Sequence, residues 1–283
     1  MVSQRSDTSR LRPIDEMPTP RSPLLKLIGR AGRPAEGAWE RLATDRVSEA
    51  TFEPSLAADL PEPARRWLTH AIAPGTPLAQ SVLLEMHGHI RIGRWLPFRA
   101  VQLHSPPNGY VWAARATFGP IPIIGYDRYA DGDAEMHWRL FGRLPVVNAS
   151  GPDLDRAAAG RAAIDALFVP TTCLGPDVTW SEGSTSNSAI AEWRIGGHVL
   201  RPELTVAADG SLRSVTMPRW TQPKGEEWGD YPFGGRVEDE MDFGGIRIPT
   251  RVQVGYFFGT DRWAKGEFFR AKITSARYKT PTT

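Results

Sequence analysis

The chain has 283 residues, 41% hydrophobic and 23% charged, which excludes a disordered protein and allows one large buried core. The net charge is +2, but residues 1–33 hold seven basic and three acidic residues while the rest holds 27 basic and 29 acidic, so the body lacks the basic excess of a nucleic-acid-binding domain. A single cysteine, Cys173, excludes an intrachain disulfide and a thiolate metal site.

Residues 1–47 read as a disordered or loosely docked basic segment, and residues 48–283 as a single β-rich domain. Ser22-Pro23 opens the apolar-basic stretch PLLKLIGRAGR, which reads as an unstructured leader or a helix that docks on the body, so residues 22–33 offer at most weak peripheral membrane contact. The N-terminus has no apolar h-region, and no run approaches the ~18–20 apolar residues that span a bilayer, so the expected location is cytoplasmic. The first helix is expected over 59–72, where Leu60, Ala64, Trp67, Leu68 and Ala71 share one helical face and Pro74-Gly75 ends it.

From residue 81 the period changes to two. Val82, Leu84, Met86, Ile90 and Ile92 alternate with Glu85, His87, His89 and Arg91, which predicts a strand with one core face and one polar face. Further strands are expected over 97–104, 109–118, 123–131 and 134–141. Gly151-Pro152-Asp153 starts a second helix over 152–168, stopped by Pro170. Strands follow over 177–180, 188–195, 199–207, 212–218, 235–243, 250–258 and 266–278, with 223–232 as a long loop. The run YFFGTDRWAKGEFFR, residues 256–270, places two aromatic strand-like segments around a polar tip. The predicted architecture is therefore α+β and mainly β, a single large curved antiparallel sheet with two principal helices packed against it.

Five phrases in order resemble an uncharacterised bacterial family known only as a domain of unknown function. They are GYDRYADGDAEMHWRLFGRLPVV (125–147), the helix with Arg161 and Asp165 leading to FVPTTCL (168–174), WGDYPFGG (228–235), FGGIRIPT (243–250) and YFFGTDRWAKGEFFR. The resemblance covers about residues 60–278 and implies no activity, cofactor or catalytic residue. The layout also looks like the half-barrels of LolA/LppX-like lipoprotein carriers, which implies a sheet wrapped round helices and an apolar cavity.

His87 and His89 project from one strand face and His137 has the same facing on its own strand, a pattern that suits a metal as well as a solvated polar face. A third ligand could be Glu85, His104, Glu135 or His137, but no ligand set is complete, so neither a metal nor a cofactor is expected. Asp127, Asp131 and Asp133 cluster in a way that could share a proton or hold Ca²⁺, but the EF-hand spacing is absent and Asp131-Gly132-Asp133 reads as a hairpin turn. In the acidic run 238–242, Asp239 falls on the apolar side. Arg161 and Asp165 stand i, i+4 on the second helix and become candidate ligand-binding residues if that helix lies inside the sheet. Trp228, Tyr231, Arg262 and Trp263 sit in turn-like surroundings and are candidates for a ligand-binding rim. Signatures GxSxG, GxxxxGK[ST] and HExxH are all missing, so no catalytic residue is assigned and the reading leans away from an enzyme. The leading function is non-catalytic binding of an apolar or amphiphilic, lipid-like molecule in a cavity of the curved sheet. The alternatives are an enzyme or metal-binding protein using polar groups of that cavity, and a protein-interaction module. No nucleic-acid partner is expected, and the oligomeric state stays open.

Overall fold

The structure, a computed structural model, describes residues 22–43 and 49–279. Five α-helices are described, beginning with α1 (Pro23–Ile28), in which the Ser22 hydroxyl accepts the Leu25 amide at 3.4 Å and Pro23 takes a first-turn position. The second, α2 (Arg33–Ala43), buries Ala35, Ala38, Trp39 and Leu42, the spacing of one apolar stripe. Next is α3 (Glu62–Ala71), which buries the expected Ala64, Trp67, Leu68 and Ala71. Then comes α4 (Pro152–Asp165), continued by tight turns over 166–168 and 170–174. The last, α5 (Trp263–Gly266), is a single turn.

The strands are β1 (Val82–Ile92), β2 (Arg94–Ser105), β3 (Gly109–Phe118), β4 (Ile121–Ala130), β5 (Asp133–Leu140) and β6 (Leu144–Ser150) before α4. After it come β7 (Val178–Glu182), β8 (Ser188–Ile195), β9 (His198–Leu200), β10 (Glu203–Val206) and β11 (Leu212–Thr221). The chain finishes with β12 (Gly229–Asp242), β13 (Arg247–Tyr256) and β14 (Glu267–Tyr278). All belong to one antiparallel sheet in the order β6-β5-β4-β3-β2-β1-β14-β13-β12-β11-β10-β8-β7, with β9 beside β8. The fold is α+β and mainly β, one large open antiparallel sheet with a few helices.

The sheet curves because α4 touches β3, β4, β5 and β6 from one half and β8, β9 and β11 from the other. Alanine makes that close approach possible: Ala157, Ala158, Ala159, Ala162 and Ala163 are all buried. Gly160 fits the same logic, since a Cβ there would sit 3.2 Å from Arg219 Cγ. The main core lies on this helix side and joins Trp67, Leu84, Phe98, Trp112, Trp193 and Ile248. A second core lies on the opposite side, where Leu24, Ile28, Trp39 and Leu42 cover Val101, Leu103, Val111, Ala113 and Tyr126. Fully burying a side chain of this kind is worth about 1.5–3 kcal/mol.

Several elements differ from the sequence expectation. Residues 23–43 form helices that dock on the sheet, with Leu24 wholly buried. Residues 1–21 and 44–48 lie outside the described residues. The strand β6 was not expected, and residues 199–207 divide into β9 and β10. The Pro- and Gly-rich 229–235, expected partly as loop, belongs to β12. A Cβ at Gly234 or Gly235 would meet the backbone of a neighbouring strand, so glycine here permits close pairing rather than a turn. Bulges at Val237/Asp239 and Asp239/Glu240 shift the alternation of β12. Asp239 is consequently exposed, and Glu240 turns in to bond His70 at 2.9 Å and the Leu212 amide at 3.0 Å. The β4–β5 turn runs through Asp131 and Gly132, both with positive φ, as a two-residue hairpin turn of this hand requires.

Candidate functional site

On the helix side, α4 presses Arg161 onto β2, β3 and β4. Its Nε donates to Asp165 Oδ2 at 3.2 Å, Nη1 to Asp127 Oδ2 at 3.2 Å and Nη2 to Gln102 Oε1 at 3.3 Å. The guanidinium lies 4.5 Å from the Tyr110 ring centroid and 5.3 Å from that of Trp112. Asp127 also accepts from Trp138 Nε1 at 2.9 Å, and Asp165 from Gln102 Nε2 at 3.0 Å. Burial pushes the Asp127 pKa above the ordinary carboxylate range, against the pull of Arg161 and the Trp138 hydrogen bond. Burial also opposes the Arg161 charge, yet Tyr110, Asp165 and Asp127 together raise its pKa.

The polar set is incompletely satisfied. Neither ring nitrogen of the fully buried His104 completes a hydrogen bond, nor does Trp112 Nε1. Burial lowers the His104 pKa to about 4, so the ring is neutral at pH 7. Arg219 donates through Nε and Nη2 to the Ala157 carbonyl at 3.1 and 3.0 Å and lies over Phe233. Burial lowers its pKa.

Beside this cluster runs an aromatic wall. Trp112 meets Trp138 and Phe269 at 5.6 and 6.0 Å between centroids, and Phe98 stacks on Phe269 at 5.1 Å. Tyr256 stacks on Phe268 at 4.9 Å and meets Phe233 edge-on at 5.7 Å. Ile90, Ile123, Val254, Tyr256, Phe268 and Phe269 pack on the main core but stay half-buried, so the wall presents apolar surface outward.

The opposite face carries a different feature. Arg115, Arg99, His87, Lys272 and Arg251 are successive register partners across β3, β2, β1, β14 and β13. They line a groove of about 1180 Å³, walled on one side by Lys26 and Leu27. Glu85 and Glu238, in the same groove, are taken by Arg277 and Gln253.

Residues 50–268 match a family described as a family of unknown function, DUF6544. The chain belongs to the DUF6544 family. The match excludes α1 and α2 and contains the Arg161 cluster and most of the aromatic wall. Four of the five phrases that pointed to an unknown-function family lie within it, and the fifth runs two residues beyond its end. No curated protein matches. Among solved structures, a domain described as an outer membrane lipoprotein-sorting protein from Vibrio parahaemolyticus is 9% identical, with a TM-score of 0.39, covering 81% of this chain and 93% of that one. A LolA superfamily protein from Nitrosomonas europaea is 10% identical, with a TM-score of 0.42, covering 78% and 93%.

In this DUF6544 chain, Arg161 and Asp165 sit in the helix-side cluster. Their neighbours Asp127, Gln102 and His104 each fall on the apolar face of their strand, Asp127 with Ile123 and Tyr129, and Gln102 and His104 with Phe98 and Ala100; in the sequence Asp127 stands out only in an acidic cluster and His104 only as a third metal ligand, and Gln102 is not singled out. A polar residue at an apolar phase was the available signal. His87 and His89 line the groove on the opposite face, while His137 lies four strands from β1, roughly 19 Å at the usual strand spacing. It faces Glu135 at 3.6 Å and the Tyr126 ring at 5.2 Å. Among the described residues, no group of three His, Cys, Asp or Glu is placed to hold a metal. Arg262 pairs with Glu226 and lies 3.7 Å from the Phe257 ring centroid, and Trp263 meets Phe258 edge-on at 5.0 Å. Trp228 stacks on Trp220 at 6.5 Å, and the Tyr231 hydroxyl donates to the Glu227 carbonyl. Trp228 lies in the loop before β12, Tyr231 on β12, Arg262 just before α5 and Trp263 on α5; Tyr231 and Arg262 meet at the Phe257 ring, away from the Arg161 cluster. The Cys173 thiol is buried, with its pKa pushed up to about 12, and is inert as a nucleophile.

Proposed function

We propose that this protein binds an apolar or amphiphilic, lipid-like small molecule on the helix side of its curved sheet, without catalysis. The apolar part lies along Phe269, Phe268, Tyr256 and Ile90, and the polar end reaches Arg161 and Arg219. The observation that carries this reading is the junction of a half-exposed aromatic wall with a guanidinium cluster holding unused donors. A guanidinium has more N–H groups than the three bonds Arg161 makes, and Trp112 Nε1 beside it also lacks a partner. Apolar linings with a few convergent polar groups are the usual make-up of small-molecule sites.

The test is tryptophan quenching by a brominated long-chain fatty acid and by its methyl ester. Saturable quenching that weakens markedly in Trp112→Phe supports the reading, and tighter binding of the free acid supports the polar end at the arginines. Quenching that does not saturate, or that is unchanged in Trp112→Phe and Phe269→Ser, rejects it.

A further inference from the structure

Among the described residues, six of the nine large hydrophobic side chains that stand exposed belong to the β1–β2, β3–β4 and β5–β6 hairpins: Ile92, Phe118, Phe141, Leu144, Val146 and Val147. Antiparallel pairing puts the β1–β2, β3–β4 and β5–β6 turns at one end of the sheet. At their tips Ile92 is 51% exposed, Phe118 40%, Phe141 55% and Leu144 61%, which is far outside what core packing explains.

The tips are tied into one platform. Arg94 lies over Phe118 at 4.6 Å, joining the first tip to the second. The Phe141 amide donates to the Pro122 carbonyl at 2.9 Å, joining the third. Arg91 donates to the carbonyls of Ala264 and Lys265, adding α5. Phe141 holds φ at 54°, a left-handed conformation that phenylalanine adopts rarely, and it keeps the ring at the apex.

Charge identifies what the platform meets. Residues 90–95, 117–122 and 139–147 contain Arg91, Arg94, Arg139 and Arg143 and no Asp or Glu. Arginines interleaved with protruding apolar side chains suit a surface that is anionic above and apolar beneath, with guanidiniums at the headgroups and Ile, Phe and Leu entering the acyl boundary. We infer that these three hairpin tips form a docking platform for an anionic lipid bilayer. This is distinct from residues 22–33, where Leu24 and Ile28 are buried against the sheet. The inference stands apart from the ligand reading, because docking requires no bound amphiphile.

The experiment is flotation of the full chain with phosphatidylcholine vesicles, with and without about 30% phosphatidylglycerol. Binding is expected with the anionic vesicles and to fall at high salt. Phe118→Ser with Phe141→Ser should weaken it by about tenfold or more. Each of Arg94→Gln and Arg143→Gln should weaken it about fivefold. Arg99→Gln with Arg115→Gln, on the basic row away from the tips, should leave it unchanged. Unaltered thermal unfolding of these exposed variants separates lost docking from lost folding. No binding to anionic vesicles overturns the inference. So does binding that the tip variants leave intact, or that the Arg99 and Arg115 changes abolish.

Discussion

Replacing Arg161 with Met tests whether the helix-side cluster is organised by that one guanidinium. The variant keeps most of the apolar stem but leaves Asp127 and Asp165, each 3.2 Å from the lost nitrogens, without their shared counterion. Removing one partner of a buried ion pair costs about 3–5 kcal/mol. Here the side chains keep roughly a fifth of their exposure, and Trp138 and Gln102 still bond the two carboxylates, so about 3 kcal/mol is expected. The loss should depend on pH with a defined sign. The folded Asp127 pKa is already raised by burial, so its contribution to stability is fully present below the unfolded value and is lost as pH rises through the folded one. Without Arg161 that folded value climbs further, and the penalty should shrink as pH falls from 7 towards 5. Urea denaturation of both proteins at the two pH values measures this. Adding Asp127→Asn and Asp165→Asn to Arg161→Met should restore part of the stability, because no buried carboxylate is left unpaired, although the buried Arg219 loses its acidic neighbours. A loss below about 1 kcal/mol, or one independent of pH, would refute the reasoning.

His104 gives a complementary slope. Its folded pKa is depressed to about 4, so its contribution is present above the unfolded value of 6.5 and is lost as pH falls towards 4. That difference corresponds to about 3 kcal/mol, and His104→Leu should flatten the acid side of the stability curve by a comparable amount in denaturation midpoints. Lys272→Glu interrupts the basic row between His87 and Arg251 and should stabilise by up to about 1 kcal/mol at low salt, an effect that thermal unfolding in high salt should largely erase. Trp39→Ala should cost about 3 kcal/mol, and limited proteolysis should then release the N-terminal helices before the sheet is cut.

Much of the fold is legible in the residues. The alternation in β1 and the helical stripe of α3 announce themselves, because one face of each meets a core. The basic, proline-rich context of residues 1–33 leaves the N-terminal segment open between an unstructured leader and a helix docked on the body. The missed signal lay in β2 and β3, where AVQL and YVWAARA are apolar on both faces and so require cover on both sides. β12 was misjudged at both ends, by glycines that serve strand pairing and by bulges that reverse the phase of its acidic run. The candidate site was half legible. Arg161 and Asp165 share a helix face by spacing alone, but Gln102, His104 and Asp127 come from strands 34 to 63 residues away, and register alone brings them under α4. The aromatic rim residues Trp228 and Trp263 are reached by no periodicity, and the structure puts them in separate ring pairs.

The most direct test of the central claim is native mass spectrometry of freshly purified protein, paired with organic extraction and with the Arg161→Met/Asp127→Asn/Asp165→Asn variant as comparison. The account predicts a stoichiometric hydrophobic or amphiphilic adduct on the parent chain, reduced or lost in the folded variant. A parent chain of apo mass that also takes up no added long-chain amphiphile would contradict it.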